Sequence, residues 1–234
     1  MKQLLLIIIF SWTTFVFGQN CKCETDSLLS EIISCDTIRF DNKASLYWNF
    51  NCDSSWLTFE SPARKKEIIF SLGEGLQNMT GRLGYIYAQE YKRTFLIQNN
   101  VISGCCSPPD FYLYDKETGD LKVNLGRLIF YSEDKKNPFA IGVTNSNYDT
   151  ASVTNYNSLT VYNIDKDKKY FVSLPKGQLE TALKKTERNY PEYLFDEPVI
   201  KGDTIVLTYY LKTPENSTDK PVKTVTLDLK RYSR

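Results

Sequence analysis

Histidine is absent from all 234 residues, and methionine (2) and tryptophan (3) are scarce. The missing histidine removes both the commonest general base and the commonest imidazole metal ligand. Ser-His and Cys-His catalysis and any His-ligated metal site are therefore excluded within this chain. An excess of one charge is lacking too, because 29 Lys+Arg face 28 Asp+Glu. Without a basic footprint, nucleic acid is not an expected partner. No Gly-rich phosphate loop, G-x-S-x-G elbow or dinucleotide fingerprint occurs. Beyond residue 18 no apolar run approaches the roughly 20 residues needed to span a membrane.

What is present is a substantial apolar content. Hydrophobic residues make up 41% and aromatics 14%, enough for a packed core in one domain of ordinary size. Residues 1–18 read as a secretory signal peptide: Lys2 precedes the unbroken apolar run Leu4 to Phe10. Val16 and Gly18 then supply the small-residue pattern for cleavage before Gln19. Removing Lys2 leaves 28 charges of each sign in a single β-rich domain, 19–234. The expected location is secreted or periplasmic, with no transmembrane segment after cleavage.

All six cysteines, Cys21, Cys23, Cys35, Cys52, Cys105 and Cys106, survive that cleavage. In an oxidising compartment they read as disulfide candidates. Cys21 and Cys23 would share a face of an extended strand, so they are expected to reach separate partners. Cys35 and Cys52 are the nearest candidate partners for those two. Cys105-Cys106 is either a strained vicinal bond or a pair of staples to two different places. A metal-binding thiolate cluster is disfavoured, because the spacing matches no closed zinc pattern. No metal site and no cofactor is expected.

Strand-period patterning recurs at intervals of about fifty residues, the scale of a propeller blade. Asp110-Phe111-Tyr112-Leu113-Tyr114-Asp115 alternates, turns through Gly119, and returns as Leu121 to Gly126. The same hairpin outline is seen in Trp56 to Glu60 with Glu67 to Gly73. It recurs in Leu159 to Asn163 with Tyr170 to Pro175, and in Ile205 to Tyr210 with Val222 to Leu227. Closing leucines fall at 72, 125, 174 and 227. Arg82-Leu83 and Phe95 to Ile97 read as further strands matching Arg127-Leu128 and Phe139 to Ile141. The expected fold is all-β and mainly antiparallel, with one or two short helices around 26–33 and 175–188. Four strand repeats, about 22–73, 74–126, 127–177 and 178–227, predict a small propeller-like architecture. A two-sheet β-sandwich is the alternative.

Three features are candidate sites. Segment 144–158 is rich in Asn, Ser and Tyr, a mixture that combines rigid amphipathic surface with adaptable hydrogen bonding. Its candidate binding residues are Asn145, Asn147, Tyr148, Asp149, Asn155, Tyr156 and Asn157. Asn145-x-Asn147-x-Asp149 opens like a calcium loop but lacks the required glycine and the twelfth acidic ligand. Trp48 and Trp56 could form an aromatic platform for a sugar ring, although aromatics at alternating positions are more often core. Paired carboxylates are the enzymatic option still open, yet the acids Asp115, Glu117, Asp120, Asp165, Asp167, Asp196 and Glu197 fall in apparent turns. No catalytic residue is assigned.

These readings favour an exported, non-catalytic binding or structural protein that holds a protein or glycan ligand at loops on one end of a β scaffold. The rivals are a secreted carbohydrate-active hydrolase with paired carboxylates and a proteinaceous inhibitor or neutralising partner. The signal assignment has a direct check. N-terminal sequencing of the exported protein should begin at Gln19, and an intact Met1 would refute it.

Overall fold

The computed structural model describes residues 22–73, 75–100, 107–135, 137–144, 156–211 and 222–233. The alternating segments form four antiparallel sheets, not the two of a sandwich. The first holds β1 (Ile38–Arg39), β2 (Ser45–Phe50), β3 (Ser55–Glu60) and β4 (Lys66–Leu72). The second holds β5 (Tyr85–Glu90), β6 (Thr94–Asn99), β7 (Asp110–Asp115) and β8 (Leu121–Arg127). The third holds β9 (Phe130–Tyr131), β10 (Phe139–Val143), β11 (Ser158–Asn163) and β12 (Lys168–Ser173). The fourth has β13 (Val199–Lys201), β14 (Thr204–Tyr210) and β15 (Val222–Asp228). Every sheet is a meander whose strands pair in sequence order.

The sheets stack in sequence order, each burying a face against the next. Leu46, Leu57 and Phe59 of the first sheet pack on Phe95, Ile97 and Tyr114 of the second. Leu96, Phe111 and Leu113 turn the opposite way, onto Ala140 and Tyr162 of the third. Phe139, Ile141, Leu159 and Val161 then meet Ile205, Leu207, Tyr209 and Leu227 of the fourth. Because side chains alternate across a strand, β6 and β10 serve two cores at once and read as continuous apolar runs. The first sheet's other face is closed by polar pairs. Tyr47 Oη donates to Glu60 at 3.4 Å, and Asn49 Nδ2 donates to Thr58 Oγ1 at 3.3 Å.

The four leucines of the sequence pattern all lie in or just after the last strand of a sheet. Leu72 pairs with Ser55 and Leu227 with Ile205. Leu174 N–H donates to the Asn157 carbonyl at 2.7 Å. Leu125 sits where the β7–β8 register shifts opposite Phe111 and Tyr112. These last strands are sheet edges, and each carries an exposed lysine: Lys66, Lys122, Lys168 with Lys169, and Lys223. A charged edge resists pairing with another chain.

Among the described residues there are three short α-helices. In α1 (Ser27–Ile33) the Asp26 carboxylate accepts from Leu29 N–H at 3.0 Å and caps the first turn. Ser34 ends it in the left-handed region, with φ 57°. The chain thus turns back, and Cys35 bonds Cys23 with a Cα separation of 5.9 Å. Cys23 thus bonds Cys35, one of the two partners expected for Cys21 and Cys23. Cys52 is also disulfide-bonded, whereas Cys21, Cys105 and Cys106 lie outside the described residues. Arg82-Leu83 is not a strand: it closes α2 (Thr80–Leu83). There Gly81 lets the helix approach α1, since a Cβ would lie 2.8 Å from the Ile32 carbonyl oxygen. In α3 (Gln178–Thr186), Leu179 and Ala182 are buried against the third and fourth sheets. Among the described residues no helix is long and apolar enough to cross a membrane.

A buried charge fastens one end of the stack. Lys116, in the β7–β8 turn, is 1% exposed. Its Nζ donates to Glu90 Oε1 at 2.8 Å and to Asp41 Oδ1. Lys135, from the third sheet's β9–β10 turn, donates to Glu90 Oε2 at 2.8 Å. Asp41 N–H also donates to Glu90 Oε1, at 3.0 Å. Three sheets therefore converge on one carboxylate. Burial pushes the Glu90 carboxyl up, but the bonds from Lys116, Lys135 and Asp41 outweigh it and bring it down to about 2.

This depression sets a pH dependence. A carboxyl that is harder to protonate when folded stabilises above its unfolded value and loses that contribution as pH falls through about 2. Unfolding free energy should drop by on the order of 3 kcal/mol between pH 5 and pH 2, read by urea denaturation. Glu90→Gln should lose about 3 kcal/mol at pH 7, because Lys116 stays buried with one fewer counter-charge. A flat acid limb in the wild type would contradict the assignment.

Candidate functional site

A cavity of about 690 Å³ lies between the third and fourth sheets and the entry to β7. Its volume is in the range that takes a drug-sized ligand. Two short chain segments form its walls, and each is positioned by its own sheet.

One wall is Phe130-Tyr131-Ser132-Glu133-Asp134. β9 pairs Phe130 with Ile141 and Tyr131 with Ala140, and Ser132 N–H continues the ladder to the Phe139 carbonyl at 2.8 Å. The second sheet holds this wall from behind. Buried Tyr91 donates its hydroxyl to the Ser132 carbonyl at 2.8 Å, and Gln89 Nε2 donates to the Glu133 carbonyl at 2.9 Å. Phe111 and Tyr131 lie with ring centroids 5.5 Å apart at the floor. Burial, and then the charge of Glu133, raises the Tyr131 phenol.

The other wall is Glu192-Tyr193-Leu194-Phe195-Asp196-Glu197. Pro191 starts a 3₁₀ turn over Pro191–Leu194, where its fixed φ and missing N–H suit a first helical position. Phe195 bridges to Tyr209 of β14, and Asp196 N–H donates to the Thr208 carbonyl at 2.9 Å. The Tyr210 hydroxyl donates to both Asp196 carboxylate oxygens at 2.6 Å, and that bond raises the phenol. Burial, followed by the neighbouring Tyr190 and Glu192, raises the Tyr193 phenol against the opposing charges of Arg127 and Arg188. Pro108, Pro109 and Pro198 add stiff backbone to the lining, and Leu128, Ile129 and Ile200 add apolar surface.

The two walls share one composition, aromatic residues followed by an adjacent acidic pair. Glu133, Asp134, Asp196 and Glu197 are exposed at the rim, and Glu192 is buried in the wall. No lysine or arginine lines the cavity among the described residues. Lys135, the next residue along, is engaged with Glu90 instead. The arrangement can accept hydrogen bonds and attract positive charge over an aromatic floor.

The binding-loop and aromatic-platform candidates read from sequence fall elsewhere or outside the described residues. Asn145, Asn147, Tyr148, Asp149 and Asn155 lie outside the described residues. Tyr156 packs on the core between the third and fourth sheets, and its N–H donates to Glu180 Oε1 at 2.9 Å. Asn157 Oδ1 accepts from Gly177 N–H at 3.3 Å. Neither lines the acidic groove. Trp48 packs towards the second sheet, edge-on to Phe70 at 6.0 Å. Trp56 pairs with Asn49 and takes the opposite face, so the two tryptophans form no common platform. Asp196 and Glu197 do reach the groove. Glu133 and Asp134 were missed, and the signal that finds them is the repeated aromatic-then-acid-pair pattern of the two walls. Among the described residues no three potential ligands converge to hold a metal ion.

No protein-family model matches this chain, and no curated protein matches it. The rim carboxylates should therefore be tested for what they do to folding. Glu133 and Glu197 are exposed, so Glu133→Gln and Glu197→Gln should each change unfolding free energy by less than about 0.5 kcal/mol. Phe111→Ala, at the buried floor, should cost about 3–5 kcal/mol. Chemical denaturation separates the two behaviours, and a large loss on neutralising the rim would make those charges structural.

Proposed function

We propose that the chain is an exported, non-catalytic binding protein of the periplasm or cell exterior, and that its ligand lies in the acidic groove. The observation that carries this reading is the groove itself, an open cavity with aromatic walls and convergent polar groups. Disulfide bonding supports an oxidising compartment. The four sheets are taken as blades of a small propeller-like repeat. Their sequential stacking, their meander order and the shared placement of the closing leucines support this. On this view β9 and β13 are the first strands of adjacent blades, and a groove between them is a natural ligand position.

Hydrolysis is the rival reading. A glycosidase needs one carboxyl kept protonated by burial opposite a second that stays ionised. Glu192 is the one buried groove acid and the other four are exposed to water, so the rival rests on Glu192 opposite a rim carboxylate.

Peptide and glycan arrays probed with the exported chain, beside a hydrolase panel, test the proposal. The expected outcome is ligand retention without turnover, lost in Ile200→Trp, which fills a groove-lining position. Turnover abolished by one Asp or Glu substitution would overturn the binding-only reading. Ligand retention unaffected by Ile200→Trp would remove the groove from it.

A further inference from the structure

We propose that the groove binds an extended polypeptide segment carrying lysine or arginine side chains. This rests on the groove being the binding site argued above, and it names the chemistry of the occupant.

Charge complementarity is the first argument. Five carboxylate residues line the groove with no basic residue among its described lining, although the whole chain carries nearly equal charges of both signs. The acids are therefore segregated there and are not a by-product of an acidic composition. Nearby cations are already committed. Lys135 bonds Glu90 at 2.8 Å, and the Arg127 guanidinium lies 4.5 Å from the centroid of the Tyr190 ring.

The wall also shows how a cation would be received. Arg188 places its guanidinium 6.0 Å from the centroid of Tyr193, one of the lining aromatics. The rings around this 3₁₀ turn thus already hold guanidinium groups from the chain itself. Aromatic faces attract such cations through their negative quadrupole. A lysine or arginine can lay its aliphatic stem along Phe111, Phe130 and Phe195 and set its charged head among the rim carboxylates.

A polypeptide is favoured over a small cation by the backbone on either side. β9 and β13 are both edge strands of their sheets, and each is short, three residues at most. An extended peptide finds main-chain partners along such edges while its alternate side chains enter the groove. A neutral glycan would use the aromatic walls but gain nothing from the rim carboxylates.

Fluorescence anisotropy on the full exported chain provides the test. The probes are three fluorescein-labelled peptides that alternate valine with lysine, serine or glutamate. The lysine probe should bind about tenfold or more tighter than the others. Raising salt from about 50 to about 500 mM should weaken it markedly. The combined variant Glu133→Gln, Asp134→Asn, Asp196→Asn, Glu197→Gln should lose about tenfold or more. Its unfolding midpoint, compared with wild type, shows whether it has folded. Should it not fold, the single variants Glu133→Gln and Glu197→Gln carry the test, each weakening the lysine probe by about two- to fivefold. Equal binding of the serine and lysine probes, or binding that ignores salt, would overturn the cationic inference. The groove reading would still stand if Ile200→Trp abolished that binding. A glycan ligand lost in Ile200→Trp, with all three peptides silent, would likewise overturn the polypeptide and spare the groove. Binding that survives Ile200→Trp would defeat both.

Discussion

Phe95, Leu96 and Ile97 are consecutive and fully buried, yet they belong to two different cores. That division is the constraint from which the architecture follows. Three short helices cannot cover the apolar faces of four sheets, so each sheet must be covered by its neighbour. A strand buried on both faces fixes two interfaces at once. A one-residue slip of β6 would exchange the side chains facing the first and third sheets. The glycine at the β7–β8 turn shows how closely the layers approach. Gly119 has φ +83°, and a Cβ there would lie 2.4 Å from the ring of Phe59 in the first sheet. The ionic cluster around Glu90 then joins the turns of three sheets at one end of the stack. Its energetic role differs from that of the cores, because much of the attraction offsets the cost of removing Lys116 from water.

The hairpins were legible because alternation is local. Trp56 to Glu60, Asp110 to Asp115, Leu159 to Asn163 and Ile205 to Tyr210 all fall within strands. The short helix around 26–33 was readable too, because Leu28, Leu29, Ile32 and Ile33 share one helical face, and the structure assigns its cap to Asp26. Long-range partners were not readable. Lys116 looks like one of several charges in a polar turn, and only the fold brings Asp41 and Glu90 to it. Cys35 was one of two partners expected for Cys23, but the choice between Cys35 and Cys52 depends on Ser34 reversing the chain after α1. Arg82-Leu83 failed as a strand for a similar reason: the docking of Gly81 against α1 is tertiary.

The site was legible only in pieces. Asp196 and Glu197 were visible as a turn pair, and Glu133-Asp134 adjoins lysines that mask its charge in a linear reading. Spatially the lysine separates from the acids, because Lys135 turns to Glu90 while Glu133 and Asp134 line the groove. The asparagine-rich segment drew notice by composition, whereas the groove is built from strand edges and the turns that follow them. Composition locates unusual chain; it does not locate the place where two ordinary stretches face each other.

Near-zero net charge therefore conceals an organised field. Exposed lysines stand on the last strand of every sheet, and carboxylates collect at the groove beside the first strands of the third and fourth. At physiological salt the Debye length is about 8 Å. An approaching ligand senses the nearest cluster of charges and not the sum over the molecule. The lysines oppose edge-to-edge association, and on the proposed reading the acids select the partner. A chain with the same totals but interspersed signs would be equally soluble and would lack that local preference. The absence of histidine fits this arrangement, because no group in the chain has an unperturbed pKa that would switch the field between about pH 6 and pH 7.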